Sequence, residues 1–161
     1  MPPIVAQNTT GILRRFYRDR LAEVASDPTF AAKEDPNSPT VDNVWTSPPG
    51  LPTGFRENQR GVLIREVPTP YGTEPGQITI ARFYVTTYGT EPEDADYLAR
   101  LLYGFSLEAI GSGVRWRVRP WKVGSTYVKF VRYEGKPVID RDANERAIGF
   151  LLANMRIGVV K

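Results

Sequence analysis

The chain has 161 residues, 41% hydrophobic and 24% charged, with a formal net charge of +3 and a pI of about 9.3. That length and apolar content suit one domain (1–161) with a true core, and so weak a charge does not by itself mark a nucleic-acid-binding protein. There is no Cys and no His, which excludes disulfide frameworks, thiolate chemistry and Cys-ligated zinc, and removes the residue most used for proton transfer near neutral pH.

No stretch approaches the roughly 18 apolar residues of a membrane span. The opening MPPIVAQNTTG has neither the basic start nor the apolar centre of a signal peptide. Residues 1–9 carry Pro2 and Pro3 and no periodicity, and read as a flexible arm. Thr9 or Thr10 is placed to cap a first helix running to about Ala25. Its apolar stripe is Leu13, Phe16 or Tyr17, Leu21 and Val24, with Arg14, Arg15, Arg18 and Arg20 largely off it. Those arginines read as a solvated face, or as a contact with an acidic partner or another subunit.

Residues 26–60 form an extended Pro-rich segment. Pro28, Pro36, Pro39, Pro48, Pro49 and Pro52 forbid a continuous helix, and within it only Val41–Trp45 looks like a strand. A loop of this length inside a domain is commonly functional or disordered. Its exposed apolar residues would be Phe30, Trp45, Leu51 and Phe55: either Trp45 packs on the core, or the loop orders against a neighbouring chain.

Gly61–Val67 reads as a strand ended by Pro68 and Pro70. Ile78–Tyr88, dense in β-branched and aromatic residues, reads as another. The pentapeptide YGTEP brackets it, at Tyr71–Pro75 and Tyr88–Pro92; both copies read as turn chemistry. The second opens a helix, with Thr90 as N-cap, Pro92 in the first turn and Glu93 completing a capping box. Ala95, Leu98, Leu102, Phe105 and Ala109 then recur on one helical face, and Gly111-Ser112-Gly113 stops it.

Val114–Trp121 alternates, with Arg115, Arg117 and Arg119 on one face and Trp116 and Val118 on the other. Tyr127–Tyr133 returns as a strand, which Val138-Ile139 extends. Ala147–Val160 fits either period, and Gly149, Gly158 and the β-branched end favour a long final strand. The expected fold is α+β: a mostly antiparallel sheet of about six strands against two helices, with a long Pro-rich loop.

The chain offers little catalytic chemistry. Asp140–Glu145 starts like a calcium loop, but Glu145 stands where Gly is required and Leu151 where Glu belongs. Gly111-Ser112-Gly113 follows a helix, the reverse of a phosphate cradle. Glu91, Glu93, Asp94 and Asp96 suit the positive end of a helix dipole. No catalytic residue, cofactor or metal ligand is assigned. The strongest functional hint is the basic ladder Arg115, Arg117 and Arg119 with Trp116, Trp121, Tyr127 and Phe130, and three like charges in a row repel unless something answers them. Carboxylates of a neighbouring copy, among them Glu91, Glu93, Asp94 and Asp96, are one answer. Nucleic acid is the other, although Trp116 falls on the opposite face and a stacking platform wants aromatics and arginines together. A small carboxylate hydrolase is a third class.

The element order resembles that of the tail terminator and tail-completion proteins of long-tailed phages. The matching pieces are the arginine-bearing helix, VDNVW, GVLIREV, the strand–turn–helix unit around Tyr88 to Leu102, and the final FLLANMRI. The resemblance spans roughly residues 10–160, and departs in the Pro-rich segment and around Glu134–Glu145. It implies an architectural virion protein without catalytic residues, assembled in the host cytoplasm. Such a protein forms a ring, commonly a hexamer, that caps the tail tube and joins it to the head connector, with DNA only passing through.

Overall fold

The computed structural model describes residues 8–25, 43–51, 60–68, 79–89, 92–105, 121–123, 126–143 and 145–159. The described residues form helices α1 (Thr9–Ala25) and α2 (Pro92–Phe105) and seven strands. These are β1 (Val44–Ser47), β2 (Gly61–Val67), β3 (Thr79–Tyr88), β4 (Trp121–Val123), β5 (Thr126–Tyr133), β6 (Val138–Arg141) and β7 (Ala147–Val159). They make one sheet in the order β1-β2-β3-β7-β5-β4, with β6 also on β7. Only β1 and β2 pair in parallel; the rest is antiparallel. The class is the α+β fold expected.

The two longest strands are the centre of the sheet. β3 pairs with β7 from Thr79 opposite Ile157 to Thr87 opposite Gly149. On its other edge β7 meets β5 and β6 end to end. β5 lies along Ala153–Val159, β6 along Ala147–Phe150, and the break is Glu134–Pro137, where the Glu134 amide donates to the Leu152 carbonyl (2.9 Å). Val138-Ile139 therefore does extend the preceding element in space, but as a strand of its own. Of the expected strand Val114–Trp121, only Trp121 is described, as the start of β4.

Both helices cover one face. α2 buries Ala95, Leu98, Ala99, Leu102 and Phe105, the stripe predicted by its period, against β3, β6 and β7; Thr90, Ala109 and the Gly111–Gly113 stop lie outside the described residues. α1 buries Leu13, Phe16, Tyr17 and Leu21. It touches β1 and β2 at one side of the sheet and β4 at the other, so the sheet curls over it. Val62, Ile64, Phe83, Val85, Val128, Val131, Leu151 and Met155 complete the core beneath.

Two local expectations for α1 are corrected. Its cap is Asn8, one residue earlier than Thr9 or Thr10: Asn8 Oδ1 accepts from the Gly11 amide (3.1 Å), the reach of an N-cap side chain to the third helical residue. Thr9 Oγ1 instead donates to Glu66 Oε2 on β2 (2.9 Å). The arginines are not a uniformly solvated face. Arg15 is exposed, Arg14 Nε donates to the Val44 carbonyl (2.6 Å), and Arg20 is buried with its guanidinium over the Phe16 ring.

Three hydrogen bonds tie the helices to the sheet. Thr87 Oγ1 donates to the Ala95 carbonyl (2.8 Å). Tyr133 Oη donates to the Leu102 carbonyl (2.8 Å) and lies 2.9 Å from Tyr17 Oη. Tyr133 has one hydroxyl proton and gives it to Leu102, so Tyr17 is the donor to Tyr133. No helix among the described residues is long and apolar enough to cross a membrane.

Candidate functional site

Strand side chains alternate, so the residues between the helix-facing ones point to the opposite side of the sheet. Among the described residues no helix packs there. The register lines these residues up in transverse rows. The first runs from edge to edge across five strands: Trp45, Leu63, Thr86, Phe150 and Val138. It is apolar except for Thr86. The second is Ser47, Arg65, Tyr84 and Leu152, and the third Val67, Arg82, Asn154 and Arg132.

Most side chains on this face are half-buried, and a few are exposed. Tyr84 is 40% exposed and Val138 57%, two of the three exposed large hydrophobic residues in the described structure. Tyr84 and Phe150 meet with ring centroids 5.4 Å apart, inside the range of a favourable aromatic pair. Trp45 is half-buried, its ring laid over Gly61, where an added Cβ would collide with that ring. Of the two readings of Trp45, neither is met simply. It packs, but on the side of the sheet away from the helices.

Charge surrounds the apolar rows. Arg82 pairs with Glu134, and the Arg82 and Asn154 hydrogen bonds hold the Glu134 carboxyl below its usual range. Arg65 is exposed, and neither it nor Arg156 makes an ion pair among the described residues. Arg156 Nε is buried without a hydrogen-bond partner. With Arg132, the described residues of the face include four arginines and the carboxylates Glu134 and Asp140.

The residues singled out in the sequence fall elsewhere. Arg115, Arg117, Arg119, Phe55 and Glu91 lie outside the described residues. Glu93 is exposed on α2, Asp94 is bound by Arg60, and Asp96 pairs with Arg100 one turn on (3.0 Å). These three acids sit on the helix side, so the structure does not bring them together with Trp45. The described residues between Asp140 and Arg146 form a polar turn. Asp142 Oδ1 accepts from the Arg146 amide (2.9 Å), Asp140 Oδ1 from the Arg141 amide (2.8 Å), and Glu145 takes a left-handed φ of 61°. No group of three acids in the described structure could hold a metal.

Sequence reasoning missed Tyr84, Phe150, Leu63, Val138 and Arg65. A signal was present. β3 and β7 carry bulky apolar residues at both parities, Phe83 with Tyr84 and Leu151 with Leu152, as strands contacted on both faces do. No protein-family model matches the sequence, and no curated protein matches it.

Proposed function

We propose that the chain is an architectural virion protein that forms a ring, commonly a hexamer in the family it resembles, capping a phage tail tube and joining it to the head connector. The observation that carries this reading is the sheet face on which no helix packs among the described residues, with an apolar row from one edge to the other. A face of that kind is an interaction surface in a protein that spends its stability on assembly. The partners are further copies of the chain, the tail tube protein and the connector, and the element order of the tail terminator family supplies the class.

The test is direct. Light scattering and negative-stain images of the purified protein, alone and with tail tubes, should give a closed ring. Phage lacking the protein should accumulate heads and tails that fail to join. A strict monomer at high concentration, with no ring in assembled particles, overturns the proposal.

A further inference from the structure

We infer that one end of this sheet face is an anion site, where Arg82, Arg132 and Arg156 gather around Asn154 to hold a phosphate group carrying two negative charges. The site lies beyond the apolar row and does not rest on the ring reading.

The first step is register. On β7, Asn154 stands between Arg82 of β3 and Arg132 of β5. Arg156 follows it by two residues on the same strand, so its side chain leaves the sheet on the same face. Paired strands lie about 5 Å apart, and alternate residues of one strand about 7 Å. Guanidinium groups from three strands therefore rise from one small patch. The patch is open to solvent: Arg132 is exposed, and the Arg82 and Glu134 side chains keep 42% and 45% of their area exposed.

The second step is donors. Arg82 Nε and Arg156 Nε are both buried without a hydrogen-bond partner, and Arg156 makes no ion pair among the described residues. A buried N–H without an acceptor carries a cost that a bound oxyanion removes. Arg132 has a contact of its own. The site does not need it unpaired, since the five donors of a guanidinium serve more than one acceptor.

The third step is charge. Among the described residues the carboxylate at this end is Glu134, which takes hydrogen bonds from Arg82 and Asn154. It already shows the patch holding an oxyanion. Asp140 is far off, opposite Ile148, about 26 Å along β7 from Arg156. Three arginines against one glutamate leave a surplus of two positive charges. A second carboxylate would bring one charge and two oxygens. A phosphate group brings about two charges and three strong acceptor oxygens, and guanidinium forks match its geometry.

The test is calorimetric titration of the whole chain with inorganic phosphate at fixed ionic strength, each variant's fold being verified by circular dichroism. Arg156→Gln should weaken binding about tenfold, the loss expected for a hydrogen bond to a charged group. Glu134→Gln, which removes the competing carboxylate, should tighten it. Arg15→Gln removes the same charge from an exposed position on α1 and should change little. The chain has no His, arginine stays charged, and the Glu134 carboxyl is held below its usual range. The pH dependence must then come from the ligand, whose second ionisation falls near pH 6: phosphate should bind about tenfold more weakly at pH 5 than at pH 7, and sulfate equally at both. Four outcomes overturn the inference: no phosphate binding at millimolar concentration, equal losses in Arg15→Gln and Arg156→Gln, weaker binding in Glu134→Gln, or an affinity for phosphate that ignores pH. An oligo-dT probe that binds where inorganic phosphate does not also overturns it, and assigns the patch to a nucleic-acid backbone.

Discussion

Tyr133 shows how much a single hydroxyl does here. The last four carbonyls of a helix have no amide ahead of them, and Leu102 is among them in α2. Tyr133 Oη satisfies that carbonyl and accepts in turn from Tyr17. Tyr133→Phe leaves two interior polar groups without a partner, a cost of about 1–3 kcal/mol for each group left unsatisfied. Tyr17→Phe removes only a donor, at about 0.5–1.5 kcal/mol. Urea titrations should therefore rank Tyr133→Phe as clearly the more damaging. Burial pushes both phenols above the ordinary tyrosine value, and for Tyr133 the neighbouring Tyr17 adds to the rise. In the unfolded chain they ionise near pH 10, whereas folded they resist, so their contribution is complete below about pH 10 and is lost as pH climbs through the folded values. The double Phe variant should show a shallower loss of stability between about pH 9.5 and 11.5, and an unchanged slope would refute this assignment. Gly149 is the other residue under tight constraint. A Cβ there would strike Thr87 Oγ1 and come within 2.7 Å of the Ala95 carbonyl and 2.8 Å of Ala99 Cβ. Gly149→Ala must push α2 off the sheet or break the Thr87 bond, and should cost about 1–3 kcal/mol or more in chemical denaturation.

At the scale of elements, α2 is the piece most dependent on packing. Leu102 is wholly buried between the sheet and α2's own stripe. Leu102→Ala should lose about 2–5 kcal/mol, seen as a lower melting temperature, and an unchanged one would mean that the helix is not the sheet's main cover. The long strands and α2 were legible because their signals are local: unbroken β-branched runs for β2 and β3, a 3.6-residue stripe for α2, glycines in β7. What failed needed information from further away. Asn8 outcompetes Thr9 as cap because Glu66, distant in sequence, engages Thr9. Arg20 is buried because its guanidinium lies over the Phe16 ring, and a helical period cannot distinguish a packed arginine from a solvated one. The separate identity of β6 depends on β7 running past the Glu134–Pro137 break and pairing on both sides of it.

For the whole molecule, the same limit explains the site. Alternation says which residues of β3 share a face, but which face the helices take is decided by the packing of α1 and α2. Tyr84 therefore reads as one more strand residue until the sheet is assembled, while Trp45 stood out because few apolar side chains interrupt the Pro-rich segment. The assembled sheet separates two demands that one sequence must meet. Its helix side holds the buried core, and on its other side Tyr84, 40% exposed, and Arg65 reach solvent. If that other side is the subunit contact, stability must depend on protein concentration, since association adds free energy only to the folded state. Each tenfold increase should contribute up to about 1.4 kcal/mol per subunit. For a domain of this size, that raises the melting temperature by about 3–6 °C. A Tyr84→Glu, Arg65→Glu protein should melt at one temperature whatever its concentration, matching wild type at the dilute limit, and raised salt should bring wild type down toward it. Two curves that rise in parallel with concentration would show that the subunits meet somewhere other than the sheet.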